Sequence, residues 1–239
     1  LMVPVSSVLM FLLMAYVLPL ALCGIIGYLL GSINWSIILT RLFKNKEDIR
    51  NYGSGNAGMT NVLRSVGKLP AALTFVGDFL KCVAAVLLAA LVMRLFGWES
   101  GAVWIQAAKY VAGIACVLGH AFPLYYGFRG GKCIVTAAAM IALTDWRVFL
   151  LIIATFLLLF LWKRIISLAS VFCAAMYPVY TFLITFFLDC SQGTRSLSYL
   201  LFVTAVSLFV GGLVLIRHKA NIGRLRRGEE KPVSLRKKE

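Results

Sequence analysis

Residues 133–162 read CIVTAAAMIALTDWRVFLLIIATFLLLFLW, and the way in which this stretch crosses a membrane decides the fold. The run is apolar except for a cluster of Asp145, Trp146 and Arg147, which is typical of a membrane interface. A helix needs roughly 20 apolar residues to cross about 30 Å of hydrocarbon. The stretch is therefore either one long tilted helix or two short helices.

The rest of the chain is equally apolar, which nearly excludes a soluble fold. Hydrophobic residues make up 61% of it and charged residues 14%, and the mean hydropathy is +0.90. Five further apolar stretches are predicted to hold membrane spans: Leu12–Leu39, Pro70–Leu95, Val103–Leu118, Ile165–Leu188 and Leu197–Ile216.

The distribution of Lys and Arg favours two helices in residues 133–162, because positive charges near span ends favour the cytoplasm. With two helices, only Arg94, Lys109, Arg147 and Arg195 lie outside, and Lys81 lies within the second span. One helix would move Lys163, Arg164 and the basic tail outside. The sequence thus predicts an all-α polytopic membrane protein of about seven transmembrane helices, two of them short, with its N-terminus outside and its C-terminus cytoplasmic.

On this topology, residues 1–217 form a membrane domain with cytoplasmic loops at 44–69 and 120–132, and residues 218–239 form a basic cytoplasmic tail. The net charge of +15 is attributed to this bias and to anionic lipid headgroups, so no nucleic acid is expected as a partner. Six scattered cysteines without a CxxC pair indicate neither a disulfide framework nor a zinc site.

The first cytoplasmic loop contains Gly53, Gly55 and Gly58 in the pattern GxGxxG. No strand precedes it, so it is not a dinucleotide fingerprint. Glycines nevertheless let backbone N–H groups approach an anion. Further polar groups come from Ser54, Asn56, Thr60, Asn61 and Arg64. The combination predicts a phosphate-binding loop, with a flexible glycine linker as the alternative.

The second loop ends in Gly130, Gly131 and Lys132, just before the fourth span. We expect the two glycines to present N–H groups at a helix N-terminus, where the helix dipole and Lys132 favour a phosphate. His120, at the start of this loop, is either an interfacial hydrogen bonder or a catalytic group.

Polar residues also mark the ends and the interior of the spans. His218 and Asn221, three apart where the last span ends, share a helix face, whereas Arg224, Arg226 and Arg227 suit lipid headgroups. Asp78 and Lys81, again three apart, lie at membrane depth and are either functional or a structural ion pair. Ser32, in the sequence Gly31-Ser-Ile-Asn34, adds polarity to the first span and can pack helices together with Gly31.

Taken in order, these motifs resemble the bacterial membrane acyl-phosphate:glycerol-3-phosphate acyltransferases. The matching pieces are Gly31-Ser-Ile-Asn34, Gly53-Ser-Gly-Asn56 running to Arg64, Asp78-Phe-Leu-Lys81, Gly119-His120 with Gly130-Gly-Lys132, and Arg217-His-Lys-Ala-Asn-Ile222. The chain departs from the family pattern at Met59 and at Cys82 and Cys133, which stand where a glycine is usual.

The resemblance implies an enzyme of the bacterial cytoplasmic membrane that moves a fatty acyl group from acyl phosphate to the 1-hydroxyl of glycerol 3-phosphate. Lysophosphatidic acid and phosphate are the products, membrane lipids surround the enzyme, and neither cofactor nor metal is expected. The family's substrate-binding and catalytic roles fall on Ser54, Asn56, Thr60, Asn61, Arg64, Lys132, His218 and Asn221, to which the sequence adds Gly55, Gly130 and Gly131 as binding residues and Ser32, Asp78, Lys81 and His120 as supporting ones.

The catalytic base is left open between His218 and an oxygen of the substrate's own phosphate, with the phosphate preferred. The His-x4-Asp pairing of another acyltransferase chemistry does not occur, because Tyr125 and Gly223 stand at the required positions. A transporter for phosphate compounds is the main rival, and a lipid-binding scaffold is the third class. The outer halves of most spans are nearly unbroken Leu, Val, Ala and Phe, which speaks against a polar pathway.

Overall fold

The first apolar stretch forms a long helix that breaks where its polar residues begin. In the computed structural model, which describes residues 5–99, 103–230 and 232, the helix runs as α1 (Val5–Leu12), a π-helical turn (Leu13–Val17) and α2 (Leu18–Ser32). Helix α3 (Trp35–Phe43) follows after two extended residues. The Asn34 side chain causes the new start, because its Oδ1 accepts the N–H of Ile37 at 3.2 Å.

The remainder of the described chain is also helical, without a strand. The further helices are α4 (Met59–Ser65), α5 (Lys68–Leu95), α6 (Val103–Ala121), α7 (Ile134–Thr144), α8 (Trp146–Lys163), α9 (Ile166–Ile184), α10 (Leu197–Arg217) and α11 (Lys219–Arg226), with short 3-10 turns at Ile49–Asn51 and Leu124–Tyr126 and a π-helical turn at Thr185–Cys190. The all-α prediction is confirmed.

Six helical segments of the described chain are long and apolar enough to cross a membrane. They are Met10–Phe43, Lys68–Leu95, Val103–Tyr126, Trp146–Lys163, Ile166–Cys190 and Leu197–Arg217. The five apolar stretches identified around residues 133–162 all become such segments, which makes the chain a multi-pass membrane protein. Seven crossings, and the orientation of the termini, remain predictions.

Residues 133–162 form two helices, divided at Asp145. The Asp145 carboxylate caps α8 by accepting the N–H groups of Arg147 and Val148 at 3.0 and 3.4 Å, which explains the break. Only α7, with 11 residues, is short. The expectation of two short helices was wrong for α8, since its 18 residues are enough to span.

The chain divides at this break into two compact units, residues 1–144 and 145–239. In the first unit, α2 packs closely on α6. A Cβ added to Gly31 would lie 2.2 Å from the carbonyl oxygen of Cys116, and one added to Gly27 would lie 2.4 Å from that of Ala112. The predicted packing role of Gly31 is thus confirmed, and small residues let the two backbones touch.

The second unit contains α8, α9 and α10. A Cβ on Gly211 would meet the carbonyl oxygen of Ala174 at 2.6 Å, so α9 and α10 also pack backbone to backbone. The Arg147 guanidinium bridges Asp145 and Asp189, with its shortest N–O distances at 2.8 to 3.0 Å. This bridge ties the start of α8 to the end of the α9 segment.

Candidate anion-binding site

The first glycine loop is ordered around Asn61, which lies on α4 and is 3% exposed. Its Nδ2 donates to the carbonyl oxygens of Tyr52 and Asn56 at 2.9 and 3.0 Å and contacts that of Ile49 at 3.2 Å. Its Oδ1 accepts the N–H of Ser54 at 3.2 Å. An ordered turn of this kind is not a flexible linker.

Two glycines of this loop have conformations that favour glycine. Gly53 and Gly55 have φ of +54° and +68°, in the left-handed region. A Cβ on Gly53 would also lie 2.4 Å from Asn61 Oδ1. The turn leaves Ser54 and Gly55 exposed.

The other predicted ligands of this loop lie just before α4 and along it. Asn56 and Thr60 are half-buried, whereas Arg64 is exposed in the last turn of the helix. The loop therefore presents polar groups and a cation on a rigid base.

The second glycine segment packs directly on the first. A Cβ on Gly131 would lie 2.6 Å from the carbonyl oxygen of Ala57 and 2.2 Å from His120 Nε2, and one on Gly130 would lie 2.0 Å from the carbonyl oxygen of His120. Only glycine permits these approaches, and they bring the half-buried Lys132 next to the first loop.

The expected role of the two glycine N–H groups was wrong. Gly130 N donates to the carbonyl oxygen of Ala121 at 3.2 Å, and Gly131 N donates to that of His120 at 3.0 Å. These groups close the end of α6 instead of facing an anion. The two glycines thus position Lys132.

A buried ionic cluster lies beneath this segment, and it joins three of the predicted supporting residues. Lys81 Nζ lies 2.8 Å from Asp78 Oδ1, 3.0 Å from His120 Nδ1 and 2.6 Å from the carbonyl oxygen of Ile33, at the helix break. An ammonium group only donates, and the Asp78 carboxylate and the Ile33 carbonyl face it as acceptors. His120 Nδ1 also lies 3.6 Å from Asp78 Oδ1, so the ring contacts both members of the ion pair.

Ser32 ties the same break to the second loop. Its Oγ donates to the carbonyl oxygen of Tyr28 at 2.8 Å and accepts the N–H of Leu124 at 3.2 Å. The Tyr28 hydroxyl adds a 2.8 Å hydrogen bond to the carbonyl oxygen of Phe122. The start of the second loop is therefore fixed to α2.

Sequence reasoning missed Asp48 and Arg50, at the entrance to the first loop. Arg50 Nε and Nη2 contact the Asp48 carboxylate at 2.8 to 3.2 Å, and Nη1 donates to the carbonyl oxygen of Tyr126 at 2.7 Å. Burial acts to raise the pKa of Asp48, but the hydrogen bonds and charge of Arg50 outweigh it and lower that pKa. The Asp48 hydrogen bond in turn raises the pKa of Arg50. Only the Asp-x-Arg spacing could have indicated this pair.

The third predicted segment lies in the second unit, and its two key side chains are buried. His218 is 3% exposed and Asn221 is 7% exposed. His218 Nδ1 lies 2.8 Å from the carbonyl oxygen of Val214, and Asn221 Nδ2 lies 2.5 Å from Glu230 Oε1. Since a carbonyl only accepts, Nδ1 of His218 carries a proton.

The tail arginines are partly paired with acids. Arg224 Nη2 lies 3.0 Å from Glu230 Oε1, and Arg227 Nη2 lies 2.8 Å from Glu229 Oε2. No group of three His, Cys, Asp or Glu side chains within residues 5–99, 103–230 and 232 is placed to hold a metal ion.

These features define a class: a multi-pass membrane protein in which two rigid glycine loops bring Arg64 and Lys132 to one end of a helical unit. Comparison with known proteins narrows the class. The profile of the glycerol-3-phosphate acyltransferase family matches residues 21–228, and the chain belongs to that family. The predicted family and its acyltransferase activity are confirmed.

Curated relatives named glycerol-3-phosphate acyltransferase align along nearly their whole length. The Rhodospirillum rubrum protein is 37% identical over 222 residues, which cover 92% of this chain and 94% of the relative. The Aquifex aeolicus protein is 36% identical over 206 residues, or 86% of this chain and 95% of the relative.

Two crystal structures of PlsY (YgiH), an integral membrane glycerol 3-phosphate acyltransferase, share the fold. The glycerol 3-phosphate form matches with a TM-score of 0.70 and 34% identity, covering 90% of this chain and 96% of that one. The lysophosphatidic acid form matches with a TM-score of 0.69 and 33% identity, covering 90% and 95%.

Proposed function

We propose that this glycerol-3-phosphate acyltransferase takes its acyl group from acyl phosphate and works at the cytoplasmic face of the bacterial inner membrane. The observation that carries the proposal is the contact of the two glycine loops at Gly131 and Ala57, which brings Lys132 next to the loop that bears Arg64. Both substrates are phosphates, and a pair of cations on rigid loops suits two anions.

The reaction then needs little from the protein beyond position and charge. The 1-hydroxyl oxygen of glycerol 3-phosphate attacks the acyl carbonyl carbon, the bond from that carbon to the phosphate oxygen breaks, and inorganic phosphate leaves. Acyl phosphate is already an activated mixed anhydride, so no covalent enzyme intermediate is required. Arg64 and Lys132 offset the charge that develops on the leaving phosphate.

The hydroxyl proton passes to an oxygen of the substrate's phosphate, and His218 orients the substrate. The Val214 carbonyl holds the His218 ring in place through Nδ1. Asn221 is assigned to substrate binding beside His218, since both lie at the same helix end.

The remaining residues divide into ligands and supports. Ser54, Gly55, Asn56 and Thr60 are assigned to the phosphate because the turn holds them at the rim of the loop. Asn61, Gly130 and Gly131 act by holding the loops, since their polar groups already bond to the chain. Supporting roles are assigned to residues that hold the α2–α3 break and the start of the second loop, namely Ser32, Asp78, Lys81 and His120.

The membrane supplies the second substrate. The acyl chain of acyl phosphate stays among the lipids while its phosphate reaches the loops. Positive charges concentrated on the loop side support a cytoplasmic location.

Phosphate release by the purified protein tests this function. With acyl phosphate and glycerol 3-phosphate together, we expect release that depends on both, and we expect a fall of at least about 100-fold in Arg64→Ala and Lys132→Ala because each loses transition-state stabilisation. Arg94→Ala, at the opposite end of α5, is the matched control and should retain activity. Activity only with acyl-CoA would refute the donor, and full activity in both variants would refute the site.

A further inference from the structure

Arg50 joins the two glycine loops through the backbone of the second. Its Nη1 donates to the carbonyl oxygens of Tyr126 and Arg129 at 2.7 and 3.3 Å. Both carbonyls lie in the loop that ends in Lys132, while Arg50 itself lies just before Gly53. One side chain therefore fixes the entrance of one loop to the approach of the other.

The Asp48 carboxylate holds the Arg50 side chain in this position. Arg50 Nε lies 3.0 Å from Asp48 Oδ1, Nη2 lies 2.8 Å from Oδ2, and the Arg50 N–H donates to Oδ1 at 2.9 Å. A planar guanidinium held at two points has little rotational freedom. Its other edge is thereby aimed at the two carbonyls.

Neighbouring groups strengthen the same junction. Arg41 Nη2 lies 3.8 Å from Asp48 Oδ2, and its guanidinium lies 5.8 Å from the centre of the Tyr126 ring. Tyr126 also packs on the buried cluster that contains Ile49, which has no exposed surface. The junction is thus anchored to the core of the first unit.

We propose that Arg50 is a positioning residue for the transfer reaction, which sets the spacing between the loop of Arg64 and the segment of Lys132 without touching substrate. The proposal rests on the proposed function for its kinetic test. Its physical basis is that the Arg50 guanidinium donates to a carboxylate and to two carbonyls of the protein itself.

The rival role is direct binding of a substrate phosphate by Arg50, and the two roles give opposite results at Asp48. If Arg50 binds phosphate, Asp48→Asn removes a competing negative charge, and the KM for glycerol 3-phosphate should fall. If Arg50 positions the loops, Asp48→Asn releases its side chain, and kcat/KM should fall.

The experiment compares Arg50→Met, Arg50→Lys, Asp48→Asn and the double variant Asp48→Asn/Arg50→Met by steady-state kinetics in both substrates. We expect kcat/KM to fall about 10- to 100-fold in Arg50→Met, as for a small misplacement of catalytic groups. Arg50→Lys should recover only a small part of the lost kcat/KM, because an ammonium group cannot bind the Asp48 carboxylate and the two carbonyls at the same time. The double variant should be no worse than Arg50→Met, since both changes break one junction.

Lys46→Met is the matched control, because it removes an exposed positive charge from the same loop and should leave kcat/KM within about twofold. A lower KM in Asp48→Asn, or full activity in Arg50→Met, would overturn the proposal. Unchanged thermal unfolding in Arg50→Lys would show that its kinetic loss is not misfolding.

Failure of the proposed function gives a different pattern, because the wild-type protein itself would then release no phosphate from acyl phosphate. In that case the shift of the melting temperature by glycerol 3-phosphate replaces kinetics. Loss of this melting-temperature shift in both Arg50→Met and Asp48→Asn would support loop positioning. A shift of wild-type size in Arg50→Met would refute it.

Discussion

Cys133 has a φ of +67°, in the left-handed region that a side chain with a Cβ adopts at a cost of about 1 kcal/mol. It follows Lys132 and precedes α7, so the chain must turn there. Burial of the thiol, which donates to the carbonyl oxygen of Val117 at 3.4 Å, offsets the cost. This conformation favours a glycine at the position, and a small buried cysteine is tolerated there.

We predict that Cys133→Gly keeps activity and unfolds within a few degrees of the wild-type protein, because relief of the backbone and loss of the thiol nearly cancel. Cys133→Val should lower both the melting temperature and phosphate release strongly, since a β-branched residue fits the left-handed region poorly. Thermal unfolding in detergent and the phosphate assay measure this. Cys173→Val, at a buried helical cysteine, is the control, and equal losses in the two valine variants would contradict the backbone argument.

The sequence identifies which polar residues matter but not which of their atoms remain for a ligand. Asn61 and Gly131 stand in the glycine-rich segments, and both are predicted to bind substrate. Their donors instead hold the loops, because they bond to the backbone carbonyls of Tyr52 and His120. Arg50 looked like one charge among many, since its partners lie on a distant loop.

At the scale of elements, the break between α2 and α3 is held by a side chain from α5. The break frees the carbonyl of Ile33, and Lys81 binds it together with Asp78 and His120. Spacing alone predicted that Asp78 and Lys81 share a helix face. The contacts with His120 and with the Ile33 carbonyl could not be predicted from the sequence, because they depend on how α2, α5 and α6 pack.

We predict that Lys81→Met is destabilised by about 3–5 kcal/mol, because it leaves the buried Asp78 carboxylate without its cation. The double variant Asp78→Asn/Lys81→Met should be more stable than Lys81→Met alone, since it also removes the unpaired charge. Thermal unfolding in detergent reports both, with Arg94→Met as a control for loss of an exposed charge on the same helix. A double variant that is less stable than Lys81→Met would show that the charge of Asp78 is balanced elsewhere.

The topology of the whole molecule depends on whether α7 takes the chain across the membrane. Eleven residues extend only about 16 Å as a helix, so a crossing also requires non-helical residues before α7 to lie at membrane depth. Non-helical backbone is tolerated at that depth only where the protein satisfies its polar groups. The N–H groups of Gly130 and Gly131 meet this condition, because both bond to the end of α6.

If α7 completes a crossing, residues 51 and 226 lie in the cytoplasm and residue 192 lies outside. We predict that a membrane-impermeant maleimide applied to intact spheroplasts labels Gln192→Cys, and labels Asn51→Cys and Arg226→Cys only after permeabilisation, since all three positions are exposed. A Cys190→Ser background removes the half-buried native cysteine, while the other five are buried. If α7 instead returns to its own side, each later segment changes sides. Arg226→Cys would then react from outside, whereas Gln192→Cys and Asn51→Cys would not. Residues 51 and 226 on the same side therefore indicate seven crossings, and on opposite sides they indicate six.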